Sequence, residues 1–324
     1  MLDRYARGDV LRSHYDFDNS AFLTTLRGAG FQVLDQSAAN YQRTAHSLAS
    51  TLNLDYLEAA GDAAGDAAGK RSSDWVILYQ ALEDYKVWRA LKPLGYEFSH
   101  FGGWWTPTAF NRFADRNVNW KVTPTFQRFL WAHSLPGRLA RAAGWRPMDD
   151  RRLQCERAKF KFDRLAELAA AESEKAKPKF VFAHFLMPHP PFVLTADGRC
   201  LSLAQARARS RRDNYIDQLR YTNNQLARVV KLIQAQSKGQ AIIILQADEG
   251  PWPERFAGDE HTLGLDANPV QWTRLSASEL REKMAIFNAI YLPDQKTAQG
   301  SPASALPAAM TPVNTFRLIF RRWF

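Results

Sequence analysis

The stretch Ala241-Ile242-Ile243-Ile244-Leu245-Gln246-Ala247-Asp248-Glu249-Gly250 decides the fold. Its apolar run is short, rich in β-branched residues and apolar on both faces, the pattern of a strand buried in a parallel sheet. The run ends in two adjacent carboxylates and a glycine that lets the backbone turn. In open α/β sheets ligands sit beyond the carboxyl ends of such strands. Asp248 and Glu249 therefore stand where oxygen ligands for a divalent cation belong. Taken alone, the two acids also read as a loop cap.

Two more runs have the same character: Lys179 to Leu186 (KFVFAHFL), followed by Met187-Pro188-His189-Pro190-Pro191-Phe192, and Ala285 to Pro293 (AIFNAIYLP). Phe31 to Leu34 and Tyr96 to Phe101 read as shorter strands. Helices are expected over Asp18 to Arg27 (with Asn19 or Ser20 as N-cap), Thr44 to Asn53, Ser73 to Leu91, several segments of 124–175, and 213–236. In the last, Tyr215, Leu219, Leu226, Val230 and Ile233 share one face. Strands alternating with helices predict an α/β fold with a mostly parallel central sheet and helices on both faces. No boundary divides residues 1–324, which read as a single domain. The Gly/Asp/Ala repeat at 60–70 reads as a flexible surface loop rather than a calcium loop.

The chain has 324 residues, 46% hydrophobic and 23% charged, an ordinary globular balance. No segment approaches the roughly 20 apolar residues that span a bilayer. Residues 1–9 carry two Arg and two Asp with no apolar core, so no signal peptide is expected. Cys155 and Cys200 are too few for a disulfide framework and read as unpaired thiols. The net charge of +10 favours anionic partners. Its basic runs, Arg138 to Arg157 and Arg207 to Arg212, read as solvated helix faces. No nucleic-acid-binding signature accompanies them, and no nucleic-acid partner is expected.

If the strands are parallel, His189 emerges at the same edge as Asp248 and Glu249. A histidine there can hydrogen-bond an anionic substrate or protonate a leaving group. By itself His189 would be a structural residue in a Pro-rich turn, and His184, within its strand, reads as core. The second constellation is Asn40-Tyr41-Gln42-Arg43-Thr44-Ala45-His46-Ser47-Leu48-Ala49-Ser50. Thr44 sits at a loop-to-helix junction, where free N–H groups and the helix dipole favour a phosphate or sulfate. Its hydroxyl could attack the bound anion once a metal lowers its pKa, with Arg43 clamping the anion's oxygens. A simple N-cap is the competing role for Thr44. The Trp104-Trp105 loop offers rings for substrate stacking or, equally, for core packing.

In this order the pieces resemble the alkaline phosphatase-like, sulfatase-type superfamily over most of the chain. Within it the chain is similar to bacterial sulfatase-like hydrolase/transferase proteins. The matching pieces are Leu2-Asp3-Arg4-Tyr5, Asn40 to Ser50, Gly95 to Pro107, Phe182 to Phe192, and Tyr215 through Gly250. The Thr-Ala-x-Ser-Leu pattern at Thr44 to Leu48 resembles the nucleophile segment of phosphoethanolamine transferases, and is close in role to that of lipoteichoic acid synthases. The resemblance implies Asp3, Thr44, Asp248 and Glu249 as metal ligands and Thr44 as the nucleophile that carries a covalent adduct. It implies His189 on the substrate side; Asn40, Arg43 and Trp104 are expected as further substrate contacts.

Three departures qualify it. Glu249 stands where the family usually has histidine, giving an all-oxygen site that prefers Mn, Mg or Ca to Zn and adds negative charge. Only Met1 and Leu2 precede Asp3, so the family's first strand is expected to be missing, and the apolar tail Thr311 to Phe324 ends abruptly. No Cys-x-Pro-x-Arg or Ser-x-Pro-x-Arg motif occurs, so the formylglycine chemistry of true sulfatases is not expected. The expected function is a metal-dependent hydrolase or transferase acting on phosphate or sulfate esters of a lipid or cell-envelope glycan, through Thr44 and a covalent intermediate. The alternative is a catalytically degenerate relative that binds an anionic glycan or lipid head group. Related proteins are often membrane-tethered at the cell envelope, and no anchor is expected within this chain.

Overall fold

A computed structural model describes residues 1–57, 76–120, 125–143, 150–171, 177–257, 274–293 and 306–324. The repeat at 60–70 lies outside them. The strands are β1 (Leu2–Asp3), β2 (Gln32–Val33), β3 (Glu97–Phe101), β4 (Arg116–Val118), β5 (Lys179–Ala183), β6 (Phe185–Pro188), β7 (Ile243–Gln246) and β8 (Asn288–Tyr291). The helices are α1 (Gly8–Tyr15), α2 (Ser20–Gly28), α3 (Thr44–Asn53), α4 (Val76–Glu83), α5 (Lys86–Leu91), α6 (Thr125–His133), α7 (Leu135–Ala142), α8 (Asp150–Ala170), α9 (Leu203–Arg207), α10 (Arg211–Gln236), α11 (Ala277–Met284) and α12 (Val313–Trp323).

β4, β3 and β5 pair in parallel, and β6 continues β5 past His184 to pair in parallel with β1. The Leu2 carbonyl accepts the Asp248 N–H at 3.0 Å, and Leu2 bridges in parallel to Ala247, tying β1 to the end of β7. β1 thus lies between β6 and β7, and Asp3, His189 and Asp248 leave the sheet at one edge. β8 runs antiparallel to both β7 and β2. It is the exception in a mostly parallel sheet. Gln246 faces Asn288, so the chain re-enters at the edge it left and needs no crossover.

Two expected elements are divided. The run from Lys179 breaks at His184, where the strand leaves β3 for β1. The helix over 73–91 breaks before Lys86, whose N–H is taken by the Asn53 side chain at 3.1 Å. The shape of the core follows from the two-residue period: Phe182 and Phe185 fall on opposite faces of the sheet. On one side Leu2, Phe185 and Met187 pack with Phe162 of α8 and Leu219 of α10. On the other Phe98 and Phe182 pack with Leu48 of α3 and Trp88 of α5. Each such side chain, fully buried, contributes about 1.5–3 kcal/mol. Helices cover both faces.

Two expectations are overturned around α8. Cys155 and Cys200 form a disulfide, with Cα atoms 5.7 Å apart, rather than remaining thiols. Sequence spacing could not show that Leu194 and Cys200 bridge in a hairpin laid against α8. The basic run is also not wholly solvated: Arg151 and Arg157 are buried. Arg151 donates to the carbonyls of Phe192 (2.5 Å) and Leu201 (3.4 Å), holding the segment after His189. Among the described residues no helix is long and apolar enough to cross a membrane.

Candidate metal centre at the sheet edge

Thr44 is the first helical residue of α3, because Arg43 takes the extended N-cap position. The threonine is therefore not spent as a cap. Its hydroxyl lies beside the Asp248 carboxyl, and that contact opposes in part the rise that burial and Glu249 impose on the carboxyl's pKa. Asp248 Oδ1 also accepts the Glu249 N–H at 2.6 Å, while Oδ2 is buried without a hydrogen bond. Asp3 Oδ1 is buried and unpartnered in the same way.

His184 completes the cluster. Its Nδ1 shares a hydrogen bond with the Thr108 hydroxyl (2.9 Å), which leaves Nε2 unpartnered and 4.0 Å from Asp248 Oδ2. One ligand atom each from Asp3, His184 and Asp248 lies within 4.8 Å of the others. All three side chains are fully buried. Burial pushes Asp3 well above the carboxylate range, and the charges of Asp248 and Glu249 push it further. Asp248 rises to about 7, by burial and then by Glu249. Burial keeps His184 neutral. Two crowded acids and a neutral imidazole, each with an orphaned atom, fit a divalent cation.

Glu249 reaches different partners. Its Oε1 contacts Lys283 Nζ at 2.7 Å and Arg4 Nε at 3.5 Å, and its Oε2 is buried without a partner. Lys283 sits at the end of α11, and burial lowers its pKa to about 8 against the pull of Glu249. Gly250 is what lets α11 approach: a Cβ there would collide with the Glu282 carbonyl oxygen. Lys283 Nζ, Arg4 and Arg43 gather round the Trp252 ring, 4.2, 5.7 and 5.9 Å from its centre. Arg4 holds a left-handed backbone (φ 59°), a conformation that L side chains adopt uncommonly.

His189 is buried beside Asp3, with Nε2 4.0 Å from Oδ2. Its Nδ1 donates to the Pro190 carbonyl, so Nε2 carries the lone pair of the neutral ring that burial enforces. Trp104 meets His189 edge-on at 5.9 Å, and Trp105 meets His184 at 6.1 Å. Asp3, Thr44, Asp248, Glu249, His189, Arg43 and Trp104 thus gather in one region. The Asn40 side-chain oxygen accepts the Val313 N–H at the start of α12. The sequence reading missed His184, although a lone histidine interrupting an apolar strand was a signal, and Lys283, which directly precedes a buried strand.

A family model described as Sulfatase matches residues 13–304. No curated protein matches the sequence. The C-terminal periplasmic domain of EcEptC from Escherichia coli, in complex with Zn, superposes with a TM-score of 0.56 at 12% identity, covering 99% of this chain and 80% of that one. A candidate sulfatase, yidJ, from Bacteroides fragilis gives 0.58 at 12% identity, covering 100% of this chain and 73% of that one. A Bacteroides thetaiotaomicron protein from a study of glycosaminoglycan metabolism gives 0.55 at 11% identity, covering 99% and 71%. At such identities the superpositions speak to the fold.

Proposed function

Because this chain belongs to the sulfatase family, within the alkaline phosphatase-like superfamily, we propose that the buried cluster is a transfer centre for phosphate or sulfate esters with Thr44 as nucleophile. The observation that carries the proposal is the buried cluster in which Asp3, His184 and Asp248 leave orphaned ligand atoms facing one another, with Thr44 beside Asp248. Those three side chains, with Thr44, would hold a divalent cation that offsets the crowded negative charge and acidifies the hydroxyl. Glu249, occupied by Lys283 and Arg4, is reassigned from ligand to counter-charge. His184 adds a nitrogen to a donor set read as all oxygen, which moves the preferred ion from Mg or Ca toward Zn, with Mn still accommodated.

Thr44 Oγ attacks the phosphorus or sulfur, and its proton passes to Asp248. The Oγ–P (or Oγ–S) bond forms as the bond to the leaving oxygen breaks, and that oxygen departs with its electron pair and takes a proton from water. Lys283, Arg4 and Arg43 set positive charge beside the anion's oxygens. In the second half water or an acceptor hydroxyl attacks the adduct, giving its proton to the lone pair of His189 Nε2. Thr44 departs and recovers its proton from Asp248; His189 returns its own to solvent. Both half-reactions balance.

The test is metal-dependent hydrolysis of a nitrophenyl phosphodiester. Thr44→Ala should lower turnover by about 10³-fold or more, as loss of a nucleophile does, and quenched wild-type protein should carry the adduct on Thr44. Turnover that survives Thr44→Ala overturns the reading. Anion binding without turnover favours the binding-only alternative, for which the Lys283–Glu249 pair inside the site is the supporting observation.

A further inference from the structure

His189 also lines a small, largely buried pocket. Phe185, Met187 and Trp104 give it apolar walls, and α8 contributes Arg157 and Lys161. These two are four residues apart and share one helix face. Both are buried, Arg157 8% and Lys161 4% exposed. Lys161 Nζ donates to the His184 carbonyl at 2.5 Å and lies 5.1 Å over the Phe185 ring. Among the described residues it has no carboxylate partner, and no acidic side chain lines the pocket. An ammonium has three donors, and this one spends a single donor on a carbonyl. Burying a cation without a counter-charge is costly. Arg157 is oriented by the Gln154 side-chain oxygen at 2.7 Å.

The pocket is connected to the chemistry through two histidines. His184 turns its ring toward Asp248 and its carbonyl toward Lys161. His189 lines the pocket and holds Nε2 4.0 Å from Asp3. His189 and Trp104 are thus common to the pocket and to the region around the metal centre.

We propose that this pocket is a subsite for a second anionic group on the substrate, with Lys161 as its principal ligand and Arg157 as its second. The inference rests on the ester-transfer reading above and deepens it by naming a substrate class: a phosphate or sulfate ester bearing another phosphate, sulfate or carboxylate a few carbons from the reacting group. The apolar walls accommodate the carbons between, and the lack of acidic residues keeps the pocket electrostatically open to an anion.

The test is calorimetric titration of the full metal-loaded chain with propyl phosphate, propane-1,3-bisphosphate and 3-carboxypropyl phosphate. Both doubly functional probes should bind about 10- to 100-fold tighter than propyl phosphate, the range one charge-assisted hydrogen bond supplies, and the stronger of them identifies the anion preferred. Lys161→Gln should bring that ratio close to one, Arg157→Gln should reduce it, and Lys161→Arg should retain it. Thermal unfolding confirms that each variant folds; if Lys161→Gln does not, the Arg157→Gln ratio decides. A wild-type ratio near one overturns the subsite while leaving the transfer centre standing. So does a ratio that neither glutamine variant lowers. Failure of all three probes to bind overturns the transfer reading itself, and the subsite with it.

Discussion

His184 Nε2 lies 4.0 Å from Asp248 Oδ2, both side chains fully buried and neither atom hydrogen-bonded. Two orphaned polar atoms aimed at a common point would be costly in a finished core. A cation between them removes that cost. His184→Ala should therefore weaken zinc affinity by at least about 10- to 100-fold, the loss already seen when groups behind a ligand are removed. Glu249→Gln should weaken it less, because Glu249 is bonded to Lys283. Calorimetric zinc titration of the two variants checks this, and the reverse order would restore Glu249 as ligand in place of His184.

The Lys283–Glu249 contact at 2.7 Å is a buried ion pair, and breaking one from a single side leaves an uncompensated charge. Lys283→Met should destabilise the protein by about 3 kcal/mol, the low end of the usual range because Arg4 still faces Glu249. The double variant Lys283→Met/Glu249→Gln should recover much of that loss. Urea unfolding measures both. An additive double variant would show that the two side chains do not act as a pair.

How much of this was legible in the sequence depended on the kind of signal. β7 was readable because its apolar run and the acids that end it are local, and Thr44 because a hydroxyl at a helix start is local too. His184 was not, since a histidine within an apolar strand looks like core until β1 is seen beside it, bringing Asp3 alongside. The inward face of α8 was hidden for the opposite reason. It carries Arg151, Gln154, Arg157 and Lys161 where a buried stripe should be apolar, so periodicity pointed to solvent. The Cys155–Cys200 pairing and the reversed direction of β8 depend on contacts far apart in the chain, which no spacing rule encodes.

Reduction of the Cys155–Cys200 disulfide should cost about 4 kcal/mol on the chain-entropy model, for a closed loop of 45 residues. Guanidinium unfolding with and without reductant measures the difference. Because the bridge anchors the segment that follows His189, reduction should also lower turnover. Unchanged stability on reduction would mean that the Arg151 contacts hold that segment by themselves.

The central claim is that Asp3, Thr44, His184 and Asp248 surround one divalent cation. The most direct measurement is calorimetric titration of metal-stripped protein with Zn²⁺ and Mn²⁺, repeated on Asp248→Asn. The account predicts a single tight site per chain, lost or weakened by about 10-fold or more in the variant. No binding in the wild type, or a site that Asp248→Asn leaves intact, would contradict it.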